Sequence, residues 1–215
     1  MKNLLYKELK LATHPTTYFF LSFSAMMLIP SYPYYVQFMY ICLSIFFVFL
    51  VGRENKDVFY TAMLPVRKAD VVKARCFMVA IIELVQILLS VPFALISVRL
   101  FPAGNQAGID ANLALYGFIF GFFAVFNIIS VPMFYRTAYK VGAAFLLSGM
   151  AVVLYYLVVE SLVWIPSPLR DFFNTTDPAM MIKHLPILLA GIVFWLLTWV
   201  LAYRRGAANF EKVDL

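Results

Sequence analysis

The sequence predicts an all-α membrane protein with six transmembrane helices, an amphipathic helix before the first span and a short helix in the loop between spans two and three. Three observations carry this. Of 215 residues, 64% are apolar and 13% charged, against ~45–50% and ~25% in soluble domains. No Lys, Arg, Asp or Glu interrupts residues 11–52. The basic residues gather in alternate inter-span segments. Mean hydropathy is +0.87, so a soluble fold would lack polar surface, and a disordered chain is excluded by the apolar surface available for burial. Spans of ~20 residues use nearly the whole chain. Residues 1–215 therefore read as one transmembrane domain with no nucleotide-binding domain of its own.

The first segment, 1–14, is too polar to span. Wound at 100° per residue, Met1, Leu4, Leu5, Leu9, Leu11 and Ala12 share one face, and Lys2, Asn3, Lys7 and Lys10 the other. Glu8 intrudes on the apolar face and Tyr6 on the polar one. The pattern fits an amphipathic helix in the membrane interface, either a simple anchor or a brace for the first span or a partner. A signal peptide is the other reading of a basic start. No small-x-small cleavage site follows, so the segment is expected to stay.

Residues 16–51 hold two spans, because Pro30 and Pro33 break the uncharged stretch. The first covers Thr16–Ile29, short for a bilayer, and the second Tyr34–Val51. The cytoplasmic loop 52–75 follows. Spans three and four, Cys76–Leu100 and Asn112–Tyr135, lie in 76–135. Spans five and six, Val141–Trp164 and Leu185–Tyr203, lie in 141–203, and the tail is 204–215. Six spans put both termini on one side. Fourteen of the 17 basic residues fall on that side, and only Arg99, Arg170 and Lys183 on the other, so both termini are predicted cytoplasmic in a plasma-membrane protein. Tyr32, Tyr34, Tyr35 and Trp164 on the outer side, and Tyr135, Tyr139 and Tyr203 on the inner, suit the aromatic belts. The net charge of +6 is thus a topology signal, and nucleic acid is not expected as a partner.

The loop 52–75 is longer than a turn needs. Glu54–Met63 can form a helix with Glu54 and Asp57 at its positive end. Phe59, Ala62 and Met63 fall on one face beside Val58, Pro65 stops the helix, and Arg67 belongs to a charged rim. Such a ridge suits docking into a groove on another protein; the alternative is a solvated basic loop. In span three, Glu83 is the costly residue, at about 2.5–3.5 kcal/mol for an acid near mid-membrane. Gln86, Ser90 and Ser97 continue one polar stripe, and Asn127 and Ser130 form an i, i+3 pair in span four. These groups either line a substrate or proton path or hold helices together. Gly117 and Gly121 match the close-packing pattern of membrane helices.

Enzyme chemistry finds little support. There is no G-x-x-x-x-G-K-[ST] loop, and Ser148 lacks a G-x-S-x-G setting. His14 and His184 are predicted on opposite sides, which rules out a paired-histidine zinc site. Cys42 and Cys76 read as packing residues. Asn174-Thr175-Thr176 matches a glycosylation sequon, meaningful only in a secretory-pathway host.

Leu64-Pro65-Val66-Arg67-Lys68, Val71-Val72-Lys73-Ala74-Arg75 entering span three, the start Lys7-Glu8-Leu9-Lys10 and the end Asn209–Leu215 together resemble the permease subunit of ABC-2 type ABC transporters. The start and the end also look like the compact Gram-positive, bacterial branch that includes exporters of phenol-soluble modulins. The resemblance implies a type V exporter-like fold. Residues 1–14 would be the elbow helix, Glu54–Met63 a coupling helix docked on a separate ATP-binding subunit, and Ile165–Pro186 an outer re-entrant segment. It implies no cofactor in this chain, with ATP and Mg bound by the partner. A second permease copy, identical or a sibling, would complete the membrane unit, and an amphipathic peptide or lipid-like molecule would be exported. Unlike larger members, the chain has no sizeable outer domain. The competing reading is a proton-coupled secondary transporter or channel using Glu83.

Overall fold

The computed structural model describes residues 2–166, 168–175 and 177–213. Helices account for the described secondary structure, and no strand occurs among these residues. The chain opens with α1 (Lys2–Lys7), which widens into a π-helical stretch over Glu8–Ala12. After a bend comes α2 (Thr16–Leu21), which tightens into a 3₁₀ segment over Ser22–Leu28. Then come α3 (Val36–Glu54), α4 (Asp57–Ala62), α5 (Lys68–Leu100), α6 (Leu113–Phe134) and α7 (Val141–Trp164). Short α8 (Pro168–Phe173) and α9 (Pro178–Met181) lead through a 3₁₀ turn into α10 (Leu185–Glu211).

Among the described residues five helices, rather than the expected six, are long and apolar enough to cross a membrane: α3, α5, α6, α7 and α10, the last together with the turn before it. The expected first span is instead the 13-residue helical stretch Thr16–Leu28. At the rises of α- and 3₁₀-helix it is about 23 Å long, short of the ~30 Å hydrocarbon core. The stretched 3₁₀ geometry nevertheless lets it join the two ends of the bundle. Just before it, the Thr13 hydroxyl reaches Met78 Sδ at 3.4 Å, near the start of α5. Just after it, the Pro30 carbonyl accepts from the Gln106 amide at 2.9 Å, past the end of α5. Phe20 stacked on Tyr40, and Phe23 packed edge-on against the same ring, hold the segment to α3.

The loop ends sort into two groups. At one end lie α1, the α3–α4 turn, the start of α5, the α6–α7 turn and the tail: Lys68 donates to the Val213 carbonyl at 2.7 Å, and Asn209 to the Pro132 carbonyl at 2.8 Å. This is the end where the basic residues gather. At the other end, Asn105 touches the Tyr32 carbonyl, the Asp110 amide donates to Asn174 at 3.1 Å, and Asn112 donates to the carbonyls of Phe173 and Thr175. Asn112 also caps α6 by accepting from the Leu115 amide. The sequon found in the sequence includes Thr176, which lies outside the described residues; its Asn174 side chain is engaged by Asp110.

At the centre lies α6, whose most apolar window is 72% buried against 22% for α7 and for α10. Glycine explains how α10 comes so close. A Cβ on Gly117 would meet the Ile187 carbonyl oxygen at 2.6 Å, and one on Gly191 would strike the Gly117 backbone. Gly121 faces a different neighbour, the Tyr155 hydroxyl of α7, which donates to the Phe118 carbonyl at 3.0 Å. The two glycines of the motif thus serve two different helix contacts.

Other boundaries differ from the sequence expectation. The basic stretch 68–75 is not a lead-in to span three but its first two turns, so α5 is about 50 Å long and extends beyond any bilayer core. The last helix continues past Tyr203 to Glu211, and the expected re-entrant stretch holds the short helices α8 and α9 and the 3₁₀ turn before α10.

Candidate functional site

At the basic end, α3 ends at Glu54 and the chain reverses through Lys56, which takes a left-handed conformation (φ 53°). The next helix, α4, is therefore shorter than the expected Glu54–Met63. Glu54 closes α3 as an exposed residue, and Met63 is the C-cap of α4.

Four charges and a hydroxyl join α4 to the rest of the protein. The Arg75 guanidinium of α5 binds Glu8 Oε2 through Nε at 2.7 Å and Asp57 Oδ2 through Nη2. Lys7 Nζ lies 2.6 Å from Asp57 Oδ1 and 3.0 Å from Glu8 Oε1. It also donates to Thr61 Oγ1 at 2.9 Å, and Thr61 donates to the Asp57 carbonyl. Two cations face two anions, so the cluster is neutral. Arg75 and Glu8 are almost fully buried, which a balanced, hydrogen-bonded set tolerates and a lone charge does not. The Arg75 guanidinium also stands 5.4 Å over the Phe49 ring. It passes Gly52, where even a Cβ would sit 3.5 Å from Nη1. Burial opposes ionisation of Asp57, but Arg75 and Lys7 outweigh it and hold the carboxyl below its ordinary range. One cluster thus clamps α1, α4 and α5 together.

Clamping fixes which face of α4 points outward. Val58 and Thr61 are buried and Ala62 is half-buried, whereas Phe59 is 40% exposed and Met63 70%. Tyr60 and Leu64 extend the exposed apolar strip. Arg67 stands in solvent, paired with Asp70 at 2.9 Å. Of the seven residues expected on a docking surface, Glu54, Phe59, Met63 and Arg67 are therefore presented outward. Val58 belongs to the core, Asp57 to the ion cluster, and Ala62 lies between. Beside the strip, Gly52–Glu54, Lys56, Val58 and Phe59 of this region and Thr137–Tyr139 of the α6–α7 turn enclose a cleft of about 470 Å³. Arg53 stacks on Tyr139 across it.

The second group of expected residues is the polar stripe of α5, and it faces protein along its whole length. Glu83 is fully buried. Its Oε1 accepts from Asn127 Nδ2 and its Oε2 from Trp195 Nε1, both at 2.8 Å. Gln86 donates to Gln37 of α3 at 3.3 Å. Ser90 pairs with the Tyr116 hydroxyl at 3.1 Å, and Ser97 with that of Tyr34 at 3.0 Å. Each group meets a partner from another segment, the arrangement expected of polar side chains that hold membrane helices together. The Asn127–Ser130 pair does not act as one unit. Asn127 binds Glu83, while the Ser130 hydroxyl has no partner among the described residues and faces an apolar pocket beside Phe46 and Phe145, because three residues turn it about 60° away around the helix.

Sequence reasoning missed Lys7, Glu8, Thr61 and Arg75 as a unit, and Trp195, Gln37 and Tyr116 as partners of the stripe. One signal was available: Glu8 on the apolar face of an amphipathic helix is a charge awaiting a buried partner. The partner itself, 67 positions away, carries no local mark.

Residues 3–205 match the model of a family described as ABC-2 family transporter protein. No curated protein and no solved structure matches the chain.

Proposed function

This chain belongs to the ABC-2 family of transporter proteins, and from that premise we propose that it is the permease subunit of an ATP-driven exporter. A separate ATP-binding subunit binds ATP and Mg and docks on the exposed face of α4, which serves as the coupling helix. The segment 2–12 is the elbow helix. Thr16–Leu28 crosses the membrane as a short sixth span, and both termini lie in the cytoplasm. A second permease copy completes the pathway. The substrate is amphipathic or hydrophobic, a class that includes cytolytic peptides such as phenol-soluble modulins and antimicrobial peptides, and it moves outward.

The observation that carries this reading is the clamping of α4. A short helix presents Phe59 and Met63 to solvent on its outer face. On its inner face it is bound through Asp57 to Arg75, near the start of a 33-residue helix. A push on α4 when the ATPase subunits close is transmitted to α5 and α1 through ion pairs, without relying on a flexible loop.

Phe59→Asp and Met63→Asp test this. In mild detergent, each is expected to lose about tenfold or more of the ATP-binding subunit that accompanies the wild type, with membrane insertion unchanged. Recovery of that subunit at wild-type levels would overturn the docking assignment. The proton-coupled alternative requires transport by the chain alone, lost in Glu83→Gln. The enclosure of Glu83 between two neutral donors supports a helix-holding role instead.

A further inference from the structure

A lateral groove of about 300 Å³ opens between α5 and α10 in the half of the bundle nearest the basic end. Phe77 and Ala80 of α5 and Trp195, Trp199 and Tyr203 of α10 line it, with Lys73 at its mouth. From Lys73 to Ala80 it runs about 10 Å along the helix axis, the direction in which acyl chains lie beside a membrane helix. Its walls are apolar and aromatic, so it favours a hydrocarbon chain over a hydrated molecule. Lys73 is its only charged lining residue, has no ion pair among the described residues, and stands 5.9 Å over the Phe77 ring. Asp70, one turn earlier, pairs with Arg67 at 2.9 Å and reaches Lys73 only through a longer-range attraction. The groove therefore joins a chain-sized apolar slot to a lysine that has no ion pair of its own, at the basic end of the bundle.

We propose that this groove is a binding site for an anionic phospholipid of the leaflet at the basic end. One acyl chain lies between α5 and α10, and the headgroup phosphate sits on Lys73. The charge argument selects this occupant. A zwitterionic lipid would fill the slot equally well but would gain less from the unpaired Lys73, and a second copy of the chain would have to bury that ammonium.

Tryptophan fluorescence tests it directly, because two of the three tryptophans line the groove. The third, exposed Trp164 on α7, is removed by Trp164→Phe. The full chain is reconstituted in mixed vesicles containing phosphatidylglycerol or phosphatidylcholine brominated on the acyl chain. Brominated phosphatidylglycerol is expected to quench Trp195 and Trp199 at about fivefold lower mole fraction, the preference one basic residue near a membrane surface confers. Lys73→Glu should abolish the preference, and Lys73→Arg should keep it. Ala80→Phe, which fills the slot, should weaken quenching by both lipids. Lys140→Glu, exposed on the α6–α7 turn at the same end, should leave the preference intact. Equal quenching by the two lipids, a preference that survives Lys73→Glu, or one lost in Lys140→Glu as readily as in Lys73→Glu would overturn the site. So would tryptophans that neither lipid reaches, the result expected if a second copy covers the groove.

Discussion

Two of the places where the protein encloses acidic side chains stabilise them in opposite ways. At the basic end, Glu8 and Asp57 are met by two full cations, Lys7 and Arg75. In the middle of α5, Glu83 is met by two neutral N–H donors, Asn127 and Trp195. The first cluster lies where the chain leaves the apolar region, so long basic side chains can be supplied from neighbouring segments. The second lies among the spans, where each added charge is expensive, so amide and indole donors do the work. The first therefore resists removal of a charge and the second resists removal of an acceptor.

The largest effect is expected from Arg75→Ala. It leaves buried Glu8 and half-buried Asp57 with only Lys7 to balance them, a loss of about 3–5 kcal/mol. It should appear as lowered thermal stability in detergent, with α1 and α4 opened to protease. If Arg75→Ala unfolds no earlier than wild type, the ion cluster is not what clamps α4. A smaller cost, about 1–3 kcal/mol, is expected for Glu83→Ala, which strands the Asn127 and Trp195 donors without an acceptor. Glu83→Gln keeps one acceptor oxygen and should lose less than Glu83→Ala. Equal losses in the two variants would mean that the negative charge, rather than hydrogen bonding, matters there.

These contrasts also mark what could be read along the chain. The stripe of Glu83, Gln86, Ser90 and Ser97 was legible because helical periodicity fixes a shared face. Its partners were not, since Gln37, Tyr116, Asn127 and Trp195 come from three other helices whose packing no local pattern encodes. The exposure of Phe59 and Met63 followed from spacing within one short helix. The ion pairing of Asp57 and the burial of Val58 on the same helix depended on where Arg75 and the end of α3 lie. The Thr16–Leu28 stretch shows the limit from the other side: hydropathy found it and the prolines bounded it, but its tightening into 3₁₀ geometry is a tertiary outcome.

The mildest perturbation is pH. Because Lys7 and Arg75 hold Asp57 below its ordinary range in the folded protein, its contribution is fully present above the unfolded value of about 4. It is lost as pH falls through the lower folded value. Protection of the α4 amides, measured against their unfolded exchange rates at each pH, should therefore hold from neutral pH down to about 4 and fall below it, and in Asp57→Asn this acid-dependent step should be absent.

By itself, the sequence determined that this chain lives in a membrane, which of its ends is basic and which side chains are costly to bury. Hydropathy, charge and helical period are local sums and survive any rearrangement of the helices. Only the tertiary structure decided that Glu8 answers Arg75, that Gly117 answers Gly191, and that α4 turns Phe59 outward. Each of those facts is a contact between residues far apart in the chain, and its energy exists only once the helices have packed.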